Sequence, residues 1–143
     1  MADTNSIRVR LVTPERVLFE STAASVELPG RSGAIEVLYG HAPLLTELGA
    51  GDVKLHGAGE NGAGGDAIYN VSWGFAEVLP ERVTILANDA LKPGEIDVER
   101  AKEQLERGNT LWSQAGESEA AYDKALSVIA EAEAKLATAA EKH

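Results

Sequence analysis

The chain contains no cysteine, which excludes a disulfide framework, a thiolate nucleophile and any cysteine-ligated zinc, and suits a reducing compartment. It also lacks long apolar runs: no window approaches the roughly 18 to 20 consecutive apolar residues of a membrane span, and residues 1–10 lack the apolar core of a secretory signal. The expectation is a soluble, uncleaved chain with no direct membrane insertion. Basic residues are scarce, 13 Lys plus Arg against 23 Asp plus Glu, a formal net charge of −10. That balance argues against nucleic acid and anionic membrane surfaces, which reward clustered Lys and Arg, and fits a basic docking partner better. Histidine is limited to His41, His56 and His143, too scattered to nominate a metal site. There is no P-loop and no nucleophile elbow, and the carboxylates are too numerous to single out an acid and a base. No catalytic residue, cofactor or metal is therefore predicted, and an enzyme acting alone is not expected.

What is present divides into two halves. The chain has 143 residues, 44% hydrophobic and 25% charged, a globular composition long enough for one ordinary domain or two small ones. All five prolines, and every glycine except Gly108 and Gly116, lie at or before Gly94. Strand-like segments recur there, at 6–12, 17–20, 24–28, 34–38, 44–48, 52–56, 67–73, 75–79 and 82–87. Several alternate with period two, as in Ile7, Val9 and Leu11 against Arg8 and Arg10. Turn residues punctuate them at Thr13-Pro14-Glu15, Pro29-Gly30-Arg31-Ser32-Gly33, Gly49-Ala50-Gly51 and Pro80-Glu81. This predicts a β-sandwich of nine or ten short strands from Ser6 to Asn88, with a flexible hairpin loop over 57–66. Within that loop Gly57-Ala58-Gly59-Glu60-Asn61-Gly62 fits a dinucleotide-binding spacing, but a strand pattern follows it rather than the helix such a site needs. The sequon Asn70-Val71-Ser72 reads as part of a strand, and Trp73 and Trp112 read as core.

After Pro93 the period changes. Asp97 is a natural N-cap for a helix whose stripe is Val98, Ala101, Leu105, Trp112 and Ala115. Ser118 caps a second, with a stripe of Tyr122, Leu126, Ile129, Leu136 and Ala140. A short link between them predicts an antiparallel helical hairpin from Ile96 to Glu141. The predicted domains are thus 1–90, a sandwich, and 91–143, a hairpin. Ala121, Ala125, Ala132 and Ala139 allow close approach of the helices but bury little area each, so the hairpin is expected to be weakly held and mobile.

One stretch is more specific than any of these patterns. Gly33-Ala34-Ile35-Glu36-Val37-Leu38-Tyr39-Gly40-His41-Ala42-Pro43-Leu44-Leu45-Thr46 resembles the epsilon subunit of F-type ATP synthases, above all in its His-Ala-Pro-Leu-Leu-Thr core. The resemblance continues in Val12-Thr13-Pro14-Glu15-Arg16-Val17-Leu18-Phe19, Val26-Glu27-Leu28-Pro29-Gly30, Gly74-Phe75-Ala76-Glu77-Val78 and Val83-Thr84-Ile85-Leu86-Ala87. It extends to Ile96-Asp97-Val98-Glu99-Arg100-Ala101 at the start of the first helix.

The resemblance implies a noncatalytic rotor subunit, peripheral on the cytoplasmic face of the inner membrane, whose sandwich clamps the gamma subunit and sits on the ring of c subunits. It assigns His41, Ala42, Pro43, Leu44 and Leu45 to partner binding, while the residues alone also allow Leu44 and Leu45 to be no more than the start of a strand, facing opposite sides. It further implies a regulatory hairpin able to reach the alpha and beta catalytic subunits, with ATP as a regulatory ligand at Asp97, Arg100 and Arg107. Capping by Asp97 and pairing of Arg100 with Glu103 account for two of these without a ligand. The second helix carries no arginine, and from Pro93 onward six basic side chains face 11 acidic ones. Like charges oppose contact with acidic catalytic-subunit segments by roughly a kcal/mol per close exposed pair, so weak or absent inhibition is expected. A small ligand-binding β-sandwich, with the hairpin reporting occupancy, is the alternative from another class.

Overall fold

The structure, a computed structural model, describes residues 6–59 and 64–141. The element order is β1 (Ile7–Val12), β2 (Val17–Ala23), β3 (Ser25–Gly30), β4 (Gly33–Leu38), β5 (Leu44–Ala58), β6 (Gly65–Leu79) and β7 (Arg82–Leu91). A 3₁₀ turn (Pro93–Glu95) follows, then α1 (Val98–Ser113) and α2 (Glu119–Ala140). The chain divides into two compact units between Lys92 and Pro93.

The strands form one ladder in the order β2-β1-β7-β6-β5-β3-β4, in which only β1 and β7 run parallel. This ladder folds over on itself. The Gly59 N–H donates to the Thr22 carbonyl at 2.7 Å, and the Thr22 hydroxyl returns a bond to the Gly59 carbonyl at 3.1 Å, joining the end of β2 to the end of β5. Phe19 on β2 lies against Tyr69 on β6, ring centroids 6.3 Å apart, although those strands are not neighbours in the ladder. Between the layers lie Ile7, Leu11, Leu28, Leu48, Leu55 and Ile85, all essentially inaccessible to solvent. Each such side chain contributes roughly 1.5–3 kcal/mol on burial.

Nine expected strands resolve into seven, because two pairs of segments are single long strands. The expected turn at Gly49-Ala50-Gly51 is continuous β5, and the expected break after Trp73 is continuous β6. The reason lies in the burial phase. In β5 the inward residue is Leu48 before the glycines but Val53 and Leu55 after them. In β6, Tyr69 and Val71 are buried before Trp73, whereas Ala76 and Val78 are buried after Gly74. A strand that changes layers must exchange its inner and outer faces, and a period-two reading mistakes that exchange for a chain break. The backbone cost sits at Trp73, at φ 59°, and Gly74, at φ 120°. Trp73 itself is half-buried rather than a core anchor. Of the spacing at 57–62, Gly57 and Ala58 belong to β5, residues 60–62 lie outside the described residues, and among the described residues no helix lies between β5 and β6.

The helical unit follows its capping signals. The Asp97 carboxylate accepts the Arg100 N–H at 3.1 Å, and the Ser118 hydroxyl accepts the Ala121 N–H at 3.2 Å. The seam keeps Ala101 and Ala115 of the expected first stripe and the alanines Ala125 and Ala132 expected to allow close approach, but not the larger stripe residues Trp112 and Leu126. Ala101 and Gly108 are buried on α1, Ala115 just beyond its end, and Ala125, Ala132 and Thr138 on α2. Trp112 and Leu126 stand 49% and 52% exposed, with Trp112 edge-on to Tyr122 at 5.8 Å. Small residues win the seam because they bring the helices close, and the larger side chains are displaced to its flank. The tightest approach is at Gly108, where an added Cβ would lie 2.7 Å from Ile129 Cγ1 and 3.2 Å from the Ile129 nitrogen.

His56 on β5 ties three strands together. Its Nε2 lies 2.5 Å from the Glu27 carboxylate on β3, and its Nδ1 3.3 Å from Asp66 on β6. Lys54 stands opposite Glu27 in the β3–β5 register. The bond to Glu27 holds the imidazolium and raises its pKa above the ordinary 6.5; burial opposes this, and Asp66 adds to it.

Three outcomes follow from these contacts. Gly74→Ala puts a Cβ 2.1 Å from the Leu86 carbonyl oxygen at a positive φ, so urea unfolding will show a loss of at least about 2 kcal/mol. Gly108→Ala will speed amide exchange in α1 and α2 while the exchange of the β strands stays unchanged. Because folded His56 holds its proton more tightly than the unfolded chain, its contribution is complete below pH 6.5 and lost as pH rises through the raised folded value. The stability difference between wild type and His56→Gln, measured by urea midpoint, will therefore be larger at low pH; a difference independent of pH would refute this.

Candidate docking face

The stretch from the end of β4 to the start of β5 is fixed by short local bonds. The His41 N–H donates to the Leu38 carbonyl at 3.0 Å, and the Gly40 N–H to the Pro80 carbonyl at 2.6 Å, fastening this turn to the β6–β7 turn. The His41 ring adds an Nδ1–H bond to the Ala42 carbonyl at 2.7 Å, which sets its tautomer. Pro43 stiffens the entry to β5. Ala42, Pro43, Leu44 and Leu45 are all exposed, and His41 is half-buried.

The two leucines do begin a strand. Leu44 pairs with Val78 and Leu45 with Glu77, on opposite faces of β5. Leu44 has inward parity, but it lies at the strand end and remains 37% exposed; Leu45, outward, is 69% exposed. Leu38, 56% exposed, and Tyr39, 45% exposed, stand beside them. A rigid turn presenting exposed apolar side chains loses little conformational freedom on docking.

A second apolar row lies within segments that the sequence marks only as strands. The registers place Glu47, Phe75, Leu86, Val12 and Val17 side by side across β5, β6, β7, β1 and β2. Phe75, Leu86 and Val17 are half exposed. Their signal was available in the phase: Phe75 and Leu86 alternate against Ala76, Val78, Ile85 and Ala87, which face the core. The row ends at Glu47, which pairs with Arg31 at 3.1 Å, an exposed contact that contributes little to stability.

The structure places Asp97, Arg100 and Arg107 elsewhere, along exposed α1. One Asp97 oxygen is engaged as the cap. Among the described residues no ion pair joins Arg100 to Glu103, so the expected pairing does not form; Glu99 pairs instead with Lys102, at 3.6 Å. On α2, Lys135 is directed to Glu131 at 2.9 Å and Lys124 is exposed. Among the described residues no group of three or more His, Asp or Glu side chains is placed to hold a metal ion, and no described helix is long and apolar enough to cross a membrane.

Comparison with known proteins bears on the fold and the family. The ATP synthase delta/epsilon chain β-sandwich domain matches residues 6–93. The ATP synthase epsilon chain of Koribacter versatilis is 40% identical over 81% of this chain and 77% of its own length. That of Solibacter usitatus is 39% identical over 96% of this chain and 98% of its own. A cryo-EM structure of the Euglena gracilis mitochondrial ATP synthase (OSCP, F1 and c ring) contains a chain of the same fold. Its TM-score is 0.75 at 21% identity, covering 96% of this chain and 87% of that one. With a seven-stranded sandwich, a two-helix C-terminal unit and homology along nearly its whole length, the chain belongs to the ATP synthase epsilon subunit family.

Proposed function

We propose that this chain is a noncatalytic part of the ATP synthase rotor, joining the gamma subunit to the c ring through its β-sandwich. The observation that carries the reading is the exposed apolar end formed by Leu38, Tyr39, Leu44 and Leu45, held on strand ends inside a domain of this family. The end of the sandwich bearing these residues faces the c ring, and the row of Phe75, Leu86 and Val17 on its side offers a second apolar contact, suited to gamma. Two separate apolar surfaces on one rigid domain are what a coupling part requires, since torque passes through it without chemistry. In this reading the chain sits peripherally, as part of the complex, on the cytoplasmic face of the membrane. A small-ligand sensor is not favoured by this family membership.

The hairpin is a regulatory element of modest strength. ATP is a weak ligand for it at best, because Arg100 and Arg107 lie on α1 and no arginine on α2 faces them. Contact with acidic segments of the alpha and beta subunits is opposed by the hairpin's own excess of carboxylates.

Calorimetry of the purified chain with its cognate gamma subunit and c ring tests the docking assignment. Leu45→Asp will weaken binding to the rotor by at least about tenfold without changing the far-ultraviolet circular dichroism. Equal binding by wild type and variant would remove the leucine end from the interface. In the assembled enzyme, ending the chain at Lys92 will leave ATP hydrolysis nearly unchanged; a large rise would show an inhibitory hairpin.

A further inference from the structure

The outer face of the parallel pair β1 and β7 places Arg8 opposite Arg82, Arg10 opposite Thr84 and Val12 opposite Leu86. Arg8 and Arg82 therefore rise side by side from neighbouring strands, whose spacing is roughly 4.8 Å. Both are exposed. Arg10 is met by Glu20 at 3.2 Å, but among the described residues neither Arg8 nor Arg82 has a carboxylate partner. Directly opposed like charges are unfavourable in a sheet, and here they stand together in a chain whose net charge is −10. An anion lying between them would relieve the repulsion.

The pair also opens onto a shaped surface. Arg8 and Arg82, with Ser6, Tyr39, Leu79 and Glu81, line a groove of about 360 Å³. The Arg8 N–H donates to the Glu81 carbonyl at 3.0 Å, and Gly40 is bonded to Pro80, so the groove and the leucine end share one scaffold. Tyr39 belongs to both, half exposed at the apolar end and forming a wall of the groove.

We propose that Arg8 and Arg82 form a carboxylate-recognition site for an acidic segment of the protein partner that docks on the adjoining apolar end; this rests on the docking assignment above. Two planar guanidinium groups present paired N–H donors that match a carboxylate in bidentate geometry. A discrete acidic side chain fits better than an anionic lipid surface. Glu81 stands in the groove wall and Glu20 beside Arg10, and the strongly negative chain is repelled by a diffuse negative field. The apolar end supplies contact area, and the arginine pair supplies register and sign.

The test uses the full chain, titrated onto the isolated subcomplex of cognate gamma subunit and c ring at several salt concentrations. Arg8→Glu/Arg82→Glu is expected to weaken binding by at least about tenfold and to flatten its salt dependence. Arg8→Gln/Arg82→Gln should lie between, with unfolding temperatures unchanged because both positions are exposed. Leu45→Ser, which changes no charge, should weaken binding by a similar factor at every salt concentration. If wild type and the double charge reversal bind equally with the same salt dependence, this inference fails and the docking assignment stands. If wild type does not bind the subcomplex at all, both fail. A parallel arm uses vesicles containing one-third phosphatidylglycerol. Wild-type binding there that is lost in the double variant would assign the pair to lipid and overturn the proposal.

Discussion

The sandwich depends on one constraint: β5 and β6 must exchange their inner and outer faces midway along their length. Each is 15 residues long, and each serves both layers, so a side chain that is inward in one layer would be outward in the next without a correction. The correction is made at the Gly49–Gly51 stretch of β5 and at Trp73 and Gly74 of β6, which lie across from each other in the register. Backbone strain at Trp73 is tolerated because the flanking ladders to β5 and β7 fix the chain on both sides. Three features of the sandwich follow from this exchange. It closes the core around Ile7, Leu28, Leu55 and Ile85, and it turns Phe75 and Leu86 outward. It also brings the β4–β5 and β6–β7 turns to the same end.

The helical unit obeys a different logic. Its seam is made of glycine, alanine and threonine, so its cohesion comes from close backbone approach rather than from large buried areas. A seam of that kind is sensitive to shape: one methyl group at Gly108 meets Ile129, whereas Trp112 and Leu126 lie on the flank. Each helix is nonetheless sharply begun, since Asp97 and Ser118 satisfy amides that the first turn leaves free. Definite ends and a shallow interface suit an element whose arrangement partners can shift.

The outer surface of the sandwich divides by chemistry. One end carries leucines and a tyrosine on a stiff turn, one side carries a row centred on Phe75 and Leu86, and between them two arginines stand together in an otherwise acidic chain. Apolar area binds without regard to direction, while charge fixes orientation. The proposed rotor role calls for both, because such a part has to hold its partners and keep them in register.

The class of each half, the helix caps, the turn residues of the short hairpins and the family are all legible in the amino-acid order. Those are local properties, set by period, by side chains that bond their own backbone, and by a run such as His41-Ala42-Pro43-Leu44-Leu45. That nine segments are seven strands emerges from the folded chain, because the burial phase reverses for a reason that lies in the opposite layer. The folded chain also put Gly108 rather than Trp112 in the helix seam, since the separation of two helices is set by the smallest residues able to meet. And it placed Arg8 beside Arg82: their positions are distant in sequence, and nothing short of the parallel pairing of the first and last strands brings the two charges together.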